Sequence, residues 1–333
     1  VNYSQTASGS GDGSSSGGSG SGSWLDVGDI DLEAVIGNFR PIGNLRPIGT
    51  LRPVSEIRDP IEIIEELLAS GVKHMEFTSF VSPKAIPQMA DAADVTKAVL
   101  ERHPDADLFA LVPNLRGAAN AYSLGLRKVC YVVSLSASHN KANINRTHEQ
   151  SLDAYKEIRA TYPDLDVIVD LATTFGCPFE GKYEDPAAVV AFLKDYVDAG
   201  MKEICLCDTI GIADPAQAKA VIVTVKAAYP ELRIAVHFHD TRGLGMVNTL
   251  TAMEAGVDEI QSTLGGLGGC PFAPGASGNL ATEDAVWMLN EMGYDTGISF
   301  SKILAAAKHE KELIEGNYSG HHINIEQETP CKA

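Results

Sequence analysis

The chain contains no long uninterrupted apolar run and has few positive charges. Lys and Arg together number 26 against 44 Asp and Glu, which gives a formal net charge of −18. Binding to nucleic-acid phosphates or to an anionic lipid surface needs clustered positive charge, so neither is an expected partner. A helix that crosses a membrane needs about 20 consecutive apolar residues, and the sequence offers no such run.

The six cysteines do not follow the spacing of a zinc finger or of a secreted disulfide-rich domain. The first residues also lack the basic segment followed by an apolar one that marks a secretion signal. We therefore expect reduced thiols in a cytoplasmic protein. A small-molecule substrate and a homodimer are separate expectations that the cysteines do not decide. With 333 residues, of which 44% are hydrophobic, the chain is large enough to bury one sizeable core.

Three segments of different character follow one another along the sequence. Residues 1–59 contain a Gly/Ser-rich stretch and then a repeat of the type Arg-Pro-Ile-Gly, which we interpret as an atypical, largely disordered extension. Residues 60–316 carry the patterns of a folded catalytic domain. Residues 317–333 are expected to form a C-terminal tail.

From Asp59 onward, short apolar runs alternate with amphipathic stretches. Asp59-Pro60 is typical of a helix start, and Gly71 of its end. Strands are predicted at about 73–79, Leu108–Val112, Lys128–Ser134, Val167–Ala172, Glu203–Leu206, Arg233–Phe238 and Glu259–Thr263. Further helices are predicted at about 90–102, 115–123, 148–161, 185–199, 214–228, 244–255 and 280–292.

Strands that alternate with helices predict a parallel sheet and the α/β class. A (β/α)8 TIM barrel would need one more strand, before Asp59, where the sequence is degenerate or lacks it. An open doubly wound sheet is the alternative. It is less favoured because no Gly-rich phosphate-binding turn follows an early strand.

A His-Phe-His sequence ends one predicted strand. Because side chains alternate between the faces of a strand, His237 and His239 project to one side and Phe238 to the other. Two such imidazoles make half of a metal site, to which Asn279 could add an oxygen ligand. A strand histidine is, however, more often a hydrogen-bonded core residue. A cysteine such as Cys270, taken alone, is more often a small buried apolar residue than a catalyst, although its Gly-Gly-Cys-Pro turn argues against packing.

Several polar residues fall at or just after the predicted strand ends. In a barrel of this class the active site lies at the C-terminal ends of the strands. The residues there are Glu76, Asn143, Asp208, His237 and Cys270. An unpaired carboxylate is costly to bury, so Glu76 should have a cation or a substrate hydroxyl as its partner. Asp208 could instead cap the helix that begins near Asp214.

Between Glu62 and Gly297 the chain resembles 3-hydroxy-3-methylglutaryl-CoA (HMG-CoA) lyase and its close relatives. The matching stretches are Glu76–Lys84, Pro87–Met89, Gly176–Lys182, Asp208–Gly211, His237–Asp240, Gly265–Ala273 and Gly275–Asp284. The Cys270 turn is the most specific of these, because other metal-dependent barrels share the His-x-His sequence but generally not this turn.

The resemblance implies retro-Claisen cleavage of a 3-hydroxyacyl-CoA to acetyl-CoA and a 3-keto acid, acetoacetate for HMG-CoA, with Mg²⁺ or Mn²⁺ as cofactor. It implies that His237, His239 and Asn279 bind the metal. It also implies that Cys270 donates a proton and that Asp208 and Glu76 orient the substrate and carry protons, with His237 counted among the catalytic residues.

One motif of the family is not found at its expected place. Its members carry an Arg-Asp-Gly sequence on the first strand, where this chain has the Arg-Pro-Ile-Gly repeat without Asp. Asp31 is a weaker substitute, and Arg58-Asp59 lies too close to Glu76. Three hypotheses follow: an active acyl-CoA lyase, a Claisen-type acyltransferase or aldolase on a related barrel, and a catalytically impaired or non-catalytic homologue.

Overall fold

The computed structural model describes residues 58–84, 86–268 and 278–325, which all belong to one compact unit, Phe39–Ala333. The strands are β1 His74–Ser79, β2 Asp107–Val112, β3 Lys128–Ser134, β4 Asp166–Ala172, β5 Gly176–Cys177, β6 Gly181–Lys182, β7 Glu203–Asp208, β8 Arg233–Phe238 and β9 Glu259–Gln261. The helices are α1 Arg58–Ser70, α2 Ala92–Arg102, α3 Leu115–Ser123, α4 Ala137–Ile144, α5 His148–Thr161, α6 Ala187–Asp198, α7 Pro215–Ala228, α8 Gly245–Glu254, α9 Thr282–Glu291 and α10 Phe300–Leu313. Within the described ranges, no helix is long and apolar enough to cross a membrane.

Seven strands form one sheet in the order β1-β2-β3-β4-β7-β8-β9, and every neighbouring pair is parallel. Strand order therefore follows chain order, as in a TIM barrel, and the predicted α/β fold class is confirmed. The place of a first strand before Asp59 lies outside the described residues, so a degenerate or missing first strand stays a prediction. The 1–59 extension lies outside the described residues, except for Arg58 and Asp59 at the start of α1.

The sequence patterns missed three elements. The hairpin β5–β6 and the helices α4 and α10 have no counterpart among the predicted elements. Helix α4 places Asn143 inside a helix, so its predicted position at a strand end is wrong. Ser136 is the N-cap of α4, because its hydroxyl accepts a hydrogen bond from the N–H of His139. The hydrophobic pattern of the sequence does not reveal this polar helix start.

Along each strand, alternate side chains face the outer helices and the inside of the curled sheet. The outward side chains are aliphatic or aromatic, as with Ile234, Val236 and Phe238 on β8, and they join the main core. Burying each such side chain contributes about 1.5–3 kcal/mol. The inward positions of β8 are therefore Ala235 and His237, which are held in place by the packing of their neighbours.

Four inward side chains at the start of alternate strands lie together in a lower layer, defined by His74, Lys128, Glu203 and Glu259. Lys128 Nζ lies 3.7 Å from Glu203 Oε2 and 3.4 Å from His74 Nε2. His74 Nε2 lies 3.6 Å from Glu259 Oε1, although β1 and β9 are the two ends of the strand order. The sheet thus curls until its ends approach, with layers of four side chains from alternate strands, as expected for this barrel.

Replacing Lys128 with Met removes the cation of the lower layer and leaves the Glu203 carboxylate without it. We expect the free energy of unfolding, measured by urea denaturation at neutral pH, to fall by about 3 kcal/mol. Lys194→Met is the matched control, because Lys194 and Asp198 form an exposed pair on one helix and its loss should leave stability unchanged. Equal effects of the two substitutions would contradict a stabilising role for the lower layer.

Candidate active site

The two histidines lie at the C-terminal end of β8 and face the inside of the sheet. His237 is the second-last residue of the strand and His239 follows it, with their ring centroids 5.3 Å apart. Asn279 joins them through its backbone, which forms an isolated antiparallel bridge with His239. Its side-chain Oδ1 lies 2.9 Å from His237 Nε2. The structure therefore brings together the three side chains that the sequence singled out as metal ligands.

Burial keeps both imidazoles neutral at physiological pH. It lowers the pKa of His237, and it lowers the pKa of His239 to about 3, with a further contribution from the neighbouring His237. Neutral imidazole is the form that binds metals. Nδ1 of His239 is buried without a hydrogen-bond partner among the described residues. Two imidazoles, one of which has an unpartnered buried nitrogen, and one amide oxygen fit a divalent cation, and their assignment as ligands stays a prediction.

The Gly-rich segment after β9 brings backbone close to Asn279. Gly268 has a φ of 137°, and Asn279 Nδ2 donates a hydrogen bond of 3.1 Å to the carbonyl of Leu267. A Cβ atom on Gly268 would collide with that amide nitrogen, so only glycine permits the approach. Cys270 lies in residues 269–277, outside the described residues, and its predicted role as proton donor stays a prediction.

The segment after α10 holds this Gly-rich backbone from behind. Gly320 N–H donates a hydrogen bond of 3.0 Å to the carbonyl of Gly265, and the Ser319 hydroxyl donates to the carbonyl of Asn279. Glu283 Oε2 accepts a hydrogen bond of 3.0 Å from Gly265 N–H. These contacts fix the backbone on both sides of residues 269–277.

Two buried carboxyl groups face each other beneath the Gly-rich segment. Burial raises the pKa of Glu283 to about 7, and burial together with the charge of Glu283 raises the pKa of Glu310 to about 8. One oxygen of each has no hydrogen-bond partner within the described ranges. Such a pair is stable with a shared proton and is destabilised when both groups ionise.

Glu310→Gln should make folding stability less sensitive to pH. A carboxyl whose pKa is raised in the folded chain binds more protons there, so stability is lost as pH rises from its ordinary pKa of 4.5 to about 8. Thermal melts at the two ends of this window should show a smaller loss for the variant, and a higher Tm than wild type at the alkaline end. The exposed Glu312→Gln on the same helix should behave as wild type. A lower Tm for Glu310→Gln at the alkaline end would contradict this reasoning.

Glu76 also faces the inside of the sheet, from a β-bulge in β1. The register between β1 and β2 shifts between Glu76 and Thr78, and such bulges redirect side chains. Glu76 Oε2 accepts a hydrogen bond of 3.2 Å from the thiol of Cys130. Desolvation by the surrounding protein raises the pKa of Glu76, partly offset by the hydrogen bond from Cys130, while part of its side chain stays accessible. A protonatable carboxyl open to small molecules is suited to proton transfer.

Asp170 is the inward residue that sequence reasoning missed. It lies on β4 within 4.8 Å of both Glu76 and Cys130, measured between their possible ligand atoms. Burial, and then the charge of Glu76, raise the pKa of Asp170 well above its usual value. A single acid in the apolar run Val-Ile-Val-Asp-Leu-Ala was the available signal, because such a run offers no other reason to bury a charge.

Asp208 ends β7, and both of its oxygens are used by the following turn. Oδ1 accepts a hydrogen bond of 2.8 Å from Ile212 N–H, and Oδ2 accepts one of 3.2 Å from Ala213 N–H. Burial raises the pKa of Asp208 to about 6, partly offset by these bonds and by Arg242. The alternative role as cap of α7 is wrong, since Asp214 caps that helix through Gln217 N–H. The catalytic role of Asp208 stays a prediction.

Comparison with known proteins supports the resemblance. The profile of the HMGL-like family matches residues 50–309, more than half of the chain. The chain belongs to the HMGL-like family. This membership confirms the family resemblance found in the sequence.

Named relatives within the HMGL-like family are lyases. Hydroxymethylglutaryl-CoA lyase YngG of Bacillus subtilis is 42% identical over 252 residues, which cover 75% of this chain and 84% of that protein. (R)-citramalyl-CoA lyase of Chloroflexus aurantiacus is 40% identical over 258 residues, 74% of this chain and 81% of that protein. The structure of an HMG-CoA lyase from A. baumannii, in complex with coenzyme A and 3-methylmalate, has a TM-score of 0.74 and 37% identity, covering 84% of this chain and 93% of that one.

His237→Ala and His239→Ala should each weaken Mn²⁺ binding by more than the roughly 10–100-fold that loss of an outer-shell partner causes. Binding is measured from the electron paramagnetic resonance signal of free Mn²⁺. Phe238→Ala is the control on the same strand: Phe238 is 1% exposed and faces the core, so its loss should cost about 3–5 kcal/mol of stability and leave the affinity of the folded protein unchanged. Unchanged affinity in both histidine variants would disprove the site.

Proposed function

We propose that the chain cleaves HMG-CoA to acetyl-CoA and acetoacetate by metal-assisted retro-Claisen chemistry. The observation that carries the proposal is the convergence of His237, His239 and Asn279 at the C-terminal ends of the strands, in a chain of the HMGL-like family. Named relatives that cleave acyl-CoA thioesters support the same class of substrate. We keep the expectation of a cytoplasmic homodimer as a further part of the proposal.

The chemistry needs a polarised hydroxyl, a base and a proton donor. Mg²⁺ or Mn²⁺ held by His237, His239 and Asn279 would supply the Lewis acid that lowers the pKa of the substrate hydroxyl. Glu76, with its raised pKa and its accessible position inside the sheet, is placed to carry a proton. We assign substrate orientation to Asp208 and protonation of the acetyl-CoA enolate to Cys270.

A second substrate is favoured by one specific comparison. A relative that is 40% identical to this chain is named an (R)-citramalyl-CoA lyase. Citramalyl-CoA likewise has a tertiary hydroxyl next to the bond that would break, so the same residues could serve its cleavage. The two substrates release different products beside acetyl-CoA, acetoacetate from one and pyruvate from the other.

The test incubates the purified chain and Mn²⁺ with each CoA thioester and measures acetyl-CoA and the released keto acid. We expect HMG-CoA to be preferred by about tenfold or more in kcat/KM, the size of discrimination that one altered group gives. His237→Ala should abolish the cleavage of both. Pyruvate release from citramalyl-CoA with the higher kcat/KM would reassign the substrate. No cleavage of either, even with an Arg-Asp-Gly strand in place of residues 1–59, would contradict the lyase.

A chimaera tests the contribution of the first strand. The sequence places no Arg-Asp-Gly before residue 60, and a single preorganised group that stabilises charge is worth about 10²–10³ in rate. We expect slow cleavage by the unmodified chain and an increase of at least that size when residues 1–59 are replaced by a strand with Arg-Asp-Gly. A chimaera whose motif is changed to Ala-Ala-Gly is the matched control. An unmodified chain as fast as the chimaera would show that the motif is dispensable here, with Asp31→Ala as the next variant to measure.

A further inference from the structure

Glu76, Cys130 and Asp170 form a cluster of possible ligands that is separate from the histidine pair. They lie on β1, β3 and β4, and their ligand atoms are all within 4.8 Å of one another. Cys130 is fully buried, with its thiol 3.2 Å from Glu76 Oε2. Neither His237 nor His239 belongs to this group, so the two sets of metal donors share no residue. Glu76 is also the proton carrier of the proposed lyase reaction, and it cannot serve in that role while it binds an ion in this cluster.

Asp170 has one buried oxygen without a hydrogen-bond partner, and its carboxyl group interacts with the Cys130 thiol. The residue is 9% exposed, and its Oδ1 has no accessible surface and no hydrogen-bond partner in the described part of the chain. The cation on a neighbouring strand, Lys128, is paired with Glu203 in the lower layer instead. Two carboxyl groups, the buried one of Asp170 and the accessible one of Glu76, therefore approach each other, an arrangement that favours a neutralising cation or retained protons.

We propose that Glu76, Cys130 and Asp170 bind a second divalent cation, of the thiophilic class to which Zn²⁺ belongs. A thiolate with two carboxylates suits Zn²⁺ and Co²⁺, whereas Mg²⁺ and Mn²⁺ prefer oxygen ligands, so the two sites select different metals. The accessible face of Glu76 gives the ion a way in from the space inside the sheet. The charge of the ion neutralises the two carboxylates, and the Cys130 thiol loses its proton to solvent when its sulfur binds.

The electrostatics of the cluster agree with this exchange of protons for metal. Burial, followed by the charges of Asp170 and Glu76, raises the pKa of the Cys130 thiol well above its usual value, so the metal-free thiol holds its proton. Burial and the charge of Glu76 act in the same direction on the pKa of Asp170. Metal binding at this cluster should therefore release protons and strengthen as pH rises.

The experiment uses Co²⁺ as a spectroscopic probe of the full chain. A thiolate bound to Co²⁺ gives a strong sulfur-to-cobalt charge-transfer band in the near ultraviolet, and the His237, His239 and Asn279 set contains no sulfur. We expect wild type to develop this band, and one equivalent of Zn²⁺ to remove it. Cys130→Ser should lose the band. Asp170→Asn, which keeps the thiol, should retain it with an apparent Kd raised about tenfold or more.

Three controls separate this site from the other thiols and from the proposed function. Cys207→Ser and Cys270→Ser should keep the band. His237→Ala should keep it too while losing Mn²⁺-dependent turnover, so that failure of the lyase proposal and failure of the second site are distinguishable. Absence of the band in folded wild type, its survival in Cys130→Ser, or its loss in Cys207→Ser or Cys270→Ser would overturn the assignment. An unchanged Kd in Asp170→Asn would show that Asp170 is not a ligand. That result would overturn the proposed second site even if Cys130→Ser did not fold.

Discussion

A parallel sheet that curls on itself forces the inward side chains of alternate strands into common layers. The contact between His74 and Glu259, from the two ends of the strand order, shows how far this curling goes. Residues distant in sequence become neighbours in a narrow space with little water. The outward face meanwhile buries aliphatic side chains that keep each strand from rotating. Because the outer packing fixes which residues point inward, it also determines which residues can take part in chemistry.

The inward layers differ in how they satisfy their charges. In the lower layer, Lys128 lies beside Glu203 and His74 lies beside Glu259, and the result is a structural network. Towards the C-terminal ends of the strands such pairing stops, and burial favours the neutral forms of the histidine pair and of Asp170. Burial lowers the pKa of His239 and raises that of Asp170. A neutral imidazole can bind a cation directly, and a protonated carboxyl can release its proton and bind one. The groups of the lower layer already have partners and cannot do this.

The sequence predicted the seven main strands and most helices because each has a clear period and clear end signals. Helix α4 was missed because its sequence, Ala-Ser-His-Asn-Lys-Ala-Asn-Ile, is polar with little apolar periodicity, and only its Ser136 cap marks it. Helix α10 lies beyond the last strand, and it is stabilised by packing against α1, a contact between chain segments too far apart for any local pattern to indicate.

Only part of the candidate site was predicted from the sequence, and there is a physical reason why the other residues were missed. His237, His239 and Asn279 were found because their residue types and spacing are unusual on a strand and after a Gly-rich turn. Asp170 and Cys130 were missed because their significance comes from the register between strands, which sets their distance to Glu76. Asp208 illustrates the opposite case, since no pattern could reveal that two backbone N–H groups already use its oxygens.

The hydrogen bond between Asn279 and Leu267 has a consequence for how this enzyme can change over evolution. This hydrogen bond and the bridge between Asn279 and His239 hold the two ends of the segment 268–278 together. The positions of Asn279 and His239 therefore do not depend on the length of that segment. Lengthening a closed loop costs little, about 0.6 kcal/mol for each doubling of its length. Insertions and deletions there would therefore leave the histidine pair in place, and those that keep Cys270 would let substrate preference drift while metal and proton donor stayed together.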